Sequence, residues 1–303
     1  MQKQEGLSYQ ITRNPPKNLS PTYYPFVKWA GGKTQLLPQL ENILPSRFNR
    51  YFEPFLGGGA MFFHLLTHTN NMFTAYLSDA NEELINTFLV VKNDVNTLIE
   101  TLKMHHKEYQ KNPKEYYYYL RDCSNPKKKV DRAAKFIVLN KTCFNGLYRV
   151  NKRGDFNVPI GNYKNPLICD SVNLRNVSYI LGKSKAKIEV ADYKKILSSE
   201  NYNEMDFIYL DPPYDPTSAT AKFTAYTDAG FKTNSQVELA GFFKRLHKKK
   251  CKILLSNANT PFIRTLYADF AKFSMEVKAL RSINCVSTKR QGHKDLLIRN
   301  YLS

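Results

Sequence analysis

Four consecutive residues, Asp211-Pro212-Pro213-Tyr214, place a carboxylate, two prolines and an aromatic ring side by side. The apolar run at 207–210 predicts a buried strand before them, and ligands bind at the carboxyl ends of such strands in open α/β sheets. The Asp211 carboxylate and the Pro212 carbonyl could accept hydrogen bonds from an exocyclic amino group and restore its lone pair for attack. The ring of Tyr214 offers a face on which a base could stack. The structural alternative is an acidic strand end followed by a Pro-Pro turn.

A glycine-rich stretch at 52–59 has the composition of a turn between a strand and a helix. Glycines at such a turn let the backbone approach a ligand closely, which suits a nucleoside cofactor. The G-x-G-x-x-G spacing of a dinucleotide-binding loop is absent because Phe62 occupies its last position. Glycine alone is therefore a weak signal at this point.

Residues 26–34, Phe-Val-Lys-Trp-Ala-Gly-Gly-Lys-Thr, contain the Gly-Lys-Thr end of a phosphate-binding P-loop. That loop also needs a glycine five residues before Gly32, where Val27 stands, so the spacing argues against ATP binding. On residue type alone, Trp29 could be a core residue and Lys33 a surface cation.

Alternating strand and helix patterns predict an α/β fold with a doubly wound, mostly parallel sheet covered on both faces. Asn81 is the predicted N-cap of the helix after the second strand. The Lys-, Tyr- and Asn-rich stretch from about 90 to 170 predicts an inserted helical domain, with helices near 116–120 and 130–139. Strands are predicted at 51–55, 75–79, 187–190, 206–210 and 251–256. The predicted organisation is an N-terminal arm (1–25), a catalytic domain (26–90 and 171–303) and the inserted recognition domain (91–170).

Charge is the global property that bears on function. The 303 residues include 45 Lys+Arg and 26 Asp+Glu, which gives a net charge of +19. A polyanionic partner such as nucleic acid is the simplest physical reason for this excess, with solubility as the alternative. The clusters Lys127–Lys129 and Lys248–Lys250 could contribute, or could be solvated helix ends.

Cysteine use and hydropathy limit the class of protein further. The five cysteines contain no C-x-x-C pair, which argues against a disulfide framework or a zinc site. The sequence has no run of the roughly 20 apolar residues that a membrane helix needs, and its N-terminus lacks the apolar run of a signal peptide. We therefore expect a cytoplasmic protein.

Taken together, the motifs resemble the DNA adenine methyltransferase (Dam) family of the alpha class, or D12 type, including the modification enzymes of GATC-specific restriction systems. The resemblance runs from Phe26 to Leu302 and rests on Lys-Trp-Ala-Gly-Gly-Lys, Phe-Glu-Pro-Phe-x-Gly-Gly-Gly, Ser-Asp-Ala-Asn and Asp-Pro-Pro-Tyr in that order. The N-terminal arm has no counterpart in the family.

The resemblance implies a binding site for S-adenosylmethionine. Trp29 and Lys33 would line it near the methionine end, and Asp79 would accept hydrogen bonds from the ribose hydroxyls. Asp192 would lie near the cofactor's adenine, although a helix N-cap is an alternative for this residue. Asp211 would bridge the cofactor and the target base. The loop beneath the cofactor would comprise Glu53, Pro54, Phe55, Gly57 and Gly59.

A second resemblance covers residues 140–151 and 154–159, which correspond to the recognition loop and hairpin of GATC-specific members. By that likeness Arg149 would make a bidentate contact with one guanine and Lys28 would address the other. A phosphate contact is the alternative for Arg149. Phe144, where family members often have Tyr, would wedge into the base stack. The remaining predicted DNA-binding residues are Asn145, Leu147, Asn151 and Pro159.

Two more segments match by resemblance alone. Residues 218–226 resemble the family loop that closes over the active site. Residues 281–284, with Lys289 and Arg290, resemble a phosphate-binding loop.

The sequence therefore predicts an enzyme that binds duplex DNA, flips an adenine and methylates its N6, with loss of a proton to water and without a metal ion. A cognate restriction endonuclease is a possible partner. One rival is an RNA or protein-amide methyltransferase with a similar acidic Pro-Pro-Tyr pocket. The other is a non-catalytic DNA-binding regulator that has kept the fold.

Overall fold

The fold is described from a computed structural model that covers residues 23–29, 33, 36–68, 73–199, 201–215, 231, 233–278 and 294–302. Several predicted features lie outside these residues. They are the N-terminal arm up to residue 22, Ala30 to Gly32, Thr34, the closing loop at 218–226 and the phosphate-binding loop at 281–290.

Within the described residues, seven strands form one sheet in the order β3-β2-β1-β4-β5-β7-β6. The first five strands run parallel, and β7 lies antiparallel between β5 and β6. This confirms the predicted doubly wound, mostly parallel α/β sheet. The strands are β1 (Arg50–Glu53), β2 (Thr74–Asp79), β3 (Lys187–Val190), β4 (Asp206–Leu210), β5 (Lys252–Ala258), β6 (Met275–Lys278) and β7 (Lys294–Arg299).

The central strand β4 is apolar along its length after Asp206 because both of its faces are covered. Phe207 and Tyr209 join the apolar cluster on one face of the sheet, and Ile208 and Leu210 join the cluster on the other. This alternation follows from the two-residue period of a strand.

The buried start of β4 needs a polar partner. Asp206 is fully buried, and its carboxylate accepts hydrogen bonds from Arg50 Nε and Nη2, both at 2.6 Å. This ion pair joins the amino ends of β1 and β4.

The helices in the described part of the chain cover both faces of the sheet. Asn81 caps the helix after β2 as predicted, since its side chain accepts from Leu84 N at 3.1 Å. The α-helices are α1 (Leu37–Leu40), α2 (Ala60–His68), α3 (Glu82–Asn93), α4 (Val95–Lys111), α5 (Pro113–Tyr118), α6 (Lys129–Thr142), α7 (Ser171–Lys183), α8 (Tyr193–Leu197), α9 (Thr233–Lys248) and α10 (Pro261–Leu266). Shorter helical turns are Glu41–Ile43, Tyr119–Cys123, Phe144–Gly146 and Ala268–Phe273.

The stretch predicted as an insert is helical, and its longest helix, α4, was not predicted. Its buried residues Leu98, Ile99 and Leu102 belong to the same apolar cluster as residues of α3 and of the sheet. The helices of this stretch therefore pack onto the sheet domain through a shared core. The division into recognition and catalytic domains stays a proposal.

The two lysine clusters lie at helix ends. Lys128 is the N-cap residue of α6, and Lys249 and Lys250 follow α9. No helix among the described residues is both long and apolar enough to cross a membrane.

Candidate active site

The order of strands places the candidate site between β1 and β4. The chain moves outward from β1 to β3 and then returns to start β4 beside β1, which makes this a topological switch point. Glu53 ends β1, Asp79 ends β2 and Asp211 follows β4 directly. The predicted loop at 53–59 and the Asp-Pro-Pro-Tyr segment therefore leave the same edge of the sheet side by side.

Asp211 and Lys33 form an ion pair at this edge. Lys33 Nζ lies 2.8 Å from Asp211 Oδ1 and 4.6 Å from the centre of the Tyr214 ring. Lys33 is only 5% exposed, so the alternative of a surface cation is wrong. Burial raises the pKa of Asp211, and the nearby Lys33 ammonium opposes that rise. The net shift is upward, so the pair holds a carboxyl group and an ammonium in a largely desolvated position.

Tyr214 is held through its hydroxyl group. The hydroxyl donates to Asp295 Oδ2 at 2.9 Å and lies 2.5 Å from Ser256 Oγ. Burial raises its pKa well above the usual range, and the charges of Asp211 and Asp295 add to this effect. The hydroxyl therefore stays protonated and anchors the ring.

The turn around the two prolines is fixed by a chain of amides. Gln236 Nε2 donates to Pro213 O at 2.9 Å, and Asn257 Nδ2 donates to Gln236 Oε1 at the same distance. Asp215 N approaches Asn257 Oδ1 at 3.3 Å. Pro212 is buried within this turn, while Pro213 is exposed. The segment is therefore preorganised by residues on α9 and β5.

The glycine-rich turn follows β1 and packs beneath Trp29. Gly57 has a φ of +49°, and a Cβ on it would lie 2.6 Å from Trp29 Cδ1, so only glycine fits here. Trp29 is half-buried and stacks on Tyr148 at 5.8 Å between ring centres. On the other side of the turn, Phe55 stacks on Tyr193 at 5.1 Å. Pro54 and Gly59 are buried within the turn.

Glu53 is a carboxyl group enclosed by the protein. It is 2% exposed and accepts a hydrogen bond from Tyr51 OH at 2.8 Å. Burial raises its pKa well above the usual range, the Tyr51 bond lowers it, and the charges of Asp211 and Asp79 raise it further. Glu53 therefore holds a proton more tightly than an exposed glutamate does.

Asp79 braces the glycine-rich turn. Its Oδ2 accepts from Gly57 N at 3.0 Å, and its Oδ1 accepts from Asn81 N at 3.0 Å. Burial raises the pKa of this carboxyl, and the backbone N–H groups oppose the rise. A carboxylate offers about four acceptor positions, so Asp79 retains capacity for a ligand hydroxyl.

Asp192 lies at the same edge, beyond the end of β3. Its side chain is exposed and caps α8 by accepting from Lys194 N at 2.9 Å. Asp192 is thus a helix N-cap, which was the alternative considered for this residue. A role for Asp192 in cofactor binding stays a prediction.

The predicted DNA-reading turn follows α6 as a tight helical turn at Phe144–Gly146. Phe144 is 38% exposed, Asn145 is exposed with a φ of 54°, and Leu147 is half-buried. Pro159 is exposed, and its carbonyl accepts from Phe144 N at 2.9 Å. The turn therefore presents an aromatic ring and an amide to solvent.

Arg149 begins a hairpin that closes through an antiparallel bridge between Val150 and Phe156. Its Nε donates to Asn157 Oδ1 at 2.7 Å, and its Nη2 donates to Asn157 O at 3.3 Å. Asn151 turns the hairpin, because its Oδ1 accepts from the backbone N–H groups of residues 153 and 155. The guanidinium of Arg149 is exposed and oriented by these contacts.

Lys28 connects the reading turn to the rest of the site. Its Nζ donates to Lys141 O at 3.1 Å and lies 3.7 Å from the centre of the Tyr163 ring. A Cβ on Gly146 would lie 2.4 Å from Lys28 Cβ. In this structure the ammonium is engaged within the protein, so a contact with guanine would require it to leave these partners.

Sequence reasoning missed the residues that hold the site in place. The Pro-Pro-Tyr segment is surrounded by Gln236, Ser256, Asn257 and Asp295. The side-chain amide of Asn140 accepts from Lys28 N through its oxygen and donates to Lys28 O through its nitrogen. Two signals were available: polar residues follow the apolar part of β5, and a buried acid interrupts β7. The groups that these polar residues contact depend on the pairing of β5 with β7, which the hydropathy pattern of the sequence did not predict.

A family model described as D12 class N6 adenine-specific DNA methyltransferase matches residues 29–283. Among curated proteins, the Type II methyltransferase M.MjaIII of Methanocaldococcus jannaschii is 45% identical over 292 residues, covering 91% of this chain and 99% of the relative. The Type II methyltransferase M1.LlaDCHI of Lactococcus lactis subsp. cremoris is 40% identical over 282 residues, covering 91% and 95%. A solved structure titled "delta-N METTL16 MTase domain" aligns with a TM-score of 0.35 at 9% identity, covering 89% of this chain and 82% of that one.

Proposed function

Because the chain belongs to the D12 class of N6 adenine-specific DNA methyltransferases, we propose that it transfers a methyl group from S-adenosylmethionine to N6 of adenine in duplex DNA, within GATC. The observation that carries the proposal is the Asp211 carboxylate, paired with Lys33 and set beside the anchored Tyr214 ring. This arrangement lies at the switch point of the sheet, next to the glycine-rich turn.

The residues around that turn fit the proposed cofactor. Gly57 brings the backbone close beneath Trp29, and Asp79 is fixed where it could accept from a ribose hydroxyl. Asp192, at the same edge, would contact the cofactor's adenine. When bound, S-adenosylmethionine supplies a methyl group on a positively charged sulfur.

The chain's own side chains would prepare the target amino group. Lys33 engages Asp211 Oδ1, so Oδ2 is the oxygen that would accept a hydrogen bond from N6. The carbonyl of Pro212 would accept the second hydrogen, and Tyr214 would stack on the base after it has flipped out of the helix. N6 would then act as the nucleophile toward the methyl group, whose bond to sulfur would break to leave a neutral thioether, and N6 would afterwards lose a proton to water.

The reading turn and hairpin would set the sequence preference. Arg149 would make a bidentate contact with one guanine edge, and Lys28 would address the other guanine. Phe144, which is exposed, would enter the stack at the position that the adenine leaves. Asn145, Leu147, Asn151 and Pro159 would contact the bases between and beside them.

A cognate restriction endonuclease that cuts the same site is the proposed biological partner. Two relatives are named Type II methyltransferases, and this supports a role in modification of a restriction site. No direct contact between the two enzymes is implied.

The decisive experiment is the transfer of labelled methyl groups to nucleic acid by the purified protein. We expect label on duplex DNA and not on RNA of the same sequence, with modified adenines mapped to GATC. Treated DNA should also resist a methylation-sensitive GATC endonuclease. Label on RNA alone would favour the RNA methyltransferase, and methylation at a different motif would contradict the assignment of GATC.

Sequence discrimination can be tested with a matched pair in the hairpin. Replacing Arg149 by alanine should cost about 1–3 kcal/mol of discrimination at one guanine. The control is Arg153→Ala, which removes another exposed arginine from the same hairpin and should leave discrimination unchanged. A loss of affinity for all sequences alike in Arg149→Ala would instead identify a phosphate contact.

A further inference from the structure

Three side chains come together on the side of α2 that faces the Glu41–Ile43 turn. Glu41, His64 and His68 each offer one ligand atom, and these atoms all lie within 4.8 Å of one another. The two histidines are one helical turn apart, with ring centres 4.1 Å from each other. Glu41 Oε1 lies 3.9 Å from His68 Nε2. The group combines two imidazoles and a carboxylate from two separate elements.

His64 is the buried member of this group. Its side chain is 6% exposed, and its Nε2 has no hydrogen-bond partner among the described residues. A neutral imidazole without a partner is the form that binds a metal ion.

His68 is oriented in the manner of a metal ligand. Its Nδ1 lies 3.0 Å from the backbone carbonyl of His64. When Nδ1–H donates to that carbonyl, Nε2 carries the lone pair and is the nitrogen nearest Glu41. Metal-bound histidines commonly use their second ring nitrogen in this way.

We propose that Glu41, His64 and His68 form a binding site for a divalent transition-metal ion of the zinc type. Two histidines and one carboxylate are a known ligand set for Zn²⁺, with water in the fourth position. Ca²⁺ and Mg²⁺ prefer oxygen ligands and do not match this set.

The site can contract to the required geometry. Ligand atoms bonded at about 2.0–2.1 Å in a tetrahedron lie about 3.4 Å apart. Glu41 and His68 are about half exposed, so their side chains are free to close the remaining distance around an ion.

The position of the site separates it from the chemistry. Helix α2 starts at the glycine-rich turn and runs back along the sheet, so His68 lies toward the edge opposite Asp211. The segment after Glu41 is joined to that edge, since Ile43 O accepts from Tyr301 OH and Arg47 O accepts from Lys252 Nζ. A bound ion would therefore clip this segment to α2 and stabilise the fold, without taking part in methyl transfer.

The test is a titration of the chelator-treated, tag-free protein with Zn²⁺, followed by calorimetry and thermal denaturation. We expect one saturable equivalent and a higher Tm, and with Co²⁺ the visible absorption bands of a tetrahedral complex. Glu41→Gln and His68→Ala, both at exposed positions, should each weaken binding by about tenfold or more. The control is His247→Gln, an exposed histidine on α9, which should bind like the wild type.

The proposal is overturned if the protein shows no saturable one-to-one binding. It is also overturned if Glu41→Gln and His68→Ala both bind as the wild type does, or if His247→Gln loses affinity to the same extent. Circular dichroism of each variant confirms that the fold is kept. Because the readout is metal binding, the result does not depend on methyl transfer.

Discussion

Replacing Asp211 by asparagine tests two roles of this residue, its contribution to the stability of the fold and its contribution to methyl transfer. Asp211 Oδ1 lies 2.8 Å from the buried Lys33 Nζ. Two unit charges at that distance attract by about 6 kcal/mol at an effective dielectric constant of about 20, before the cost of burying them. Removing one member of a buried pair costs about 3–5 kcal/mol. We expect the lower end because 20% of the Asp211 side chain is exposed.

The expected loss of about 3 kcal/mol corresponds to a decrease in Tm of roughly 5 °C, because a chain of 303 residues has a large unfolding entropy. The double variant Asp211→Asn, Lys33→Met should regain at least half of this decrease, since it no longer leaves a buried ammonium beside a neutral amide. Single-turnover methylation should fall by about 10²–10³ in both variants, because the charged acceptor for the amino group is gone. Affinity for duplex DNA should stay within a few-fold of the wild type.

The two measurements refute different parts of the reasoning. An Asp211→Asn enzyme that methylates within a few-fold of the wild-type rate would remove the proposed role of the carboxylate. A double variant that is no more stable than Asp211→Asn would show that the Lys33 pair does not set the energetics of this site.

Three further outcomes follow from buried groups. Glu53→Gln removes a carboxyl group whose pKa in the folded protein is raised, mainly by burial. Above about pH 4.3 the folded wild type therefore binds more protons than the unfolded chain, and its free energy of unfolding falls as the pH rises. The Tm of Glu53→Gln minus the Tm of the wild type should therefore increase between about pH 5 and pH 8. A decrease in this Tm difference over that range would contradict the raised pKa of Glu53. Asp295→Asn weakens the hydrogen bond that anchors the Tyr214 hydroxyl, and a hydrogen bond to a charged group contributes about 1.5–3 kcal/mol. We therefore expect kcat/KM to fall by roughly tenfold with DNA affinity unchanged. A change below about twofold in steady-state assays would rule out the anchoring role. Arg50→Ala leaves the buried Asp206 without its guanidinium partner and should lower the free energy of unfolding, measured by urea denaturation, by about 3–5 kcal/mol. A decrease of less than about 1 kcal/mol would show that other groups satisfy this carboxylate.

The parts of the fold predicted from sequence are those with a strong local signal. β4 is a short apolar run, and Asn81 stands directly before an amphipathic helix, so period and capping chemistry were sufficient. Helix α4 was missed because its many polar residues hide a stripe formed by Leu98, Ile99 and Leu102. The antiparallel β7 was missed because its pairing with β5 links residues about 40 positions apart.

The motifs of the candidate site were predictable from the sequence, but the residues that hold those motifs in place were not. Asp211, Tyr214 and Lys33 were identified from motifs, and the structure brings the three together. Asp295 reaches the Tyr214 hydroxyl only because β7 pairs with β5. Lys28 was predicted to face DNA, but its ammonium lies against Tyr163, a contact that no local pattern encodes.

Lys28 and Trp29 are adjacent in the chain and pack against two different loops. Lys28 fills the space left by Gly146 in the reading turn, and Trp29 lies against Gly57 in the glycine-rich turn. Neither glycine leaves room for a side chain, so a shift of one turn would have to be accommodated by the other across a single peptide bond. If such a shift accompanies binding, ligands at the two turns are thermodynamically linked, and each changes the affinity of the other by the same factor. The order in which they bind would alter the rates, but not the free energy of the ternary complex.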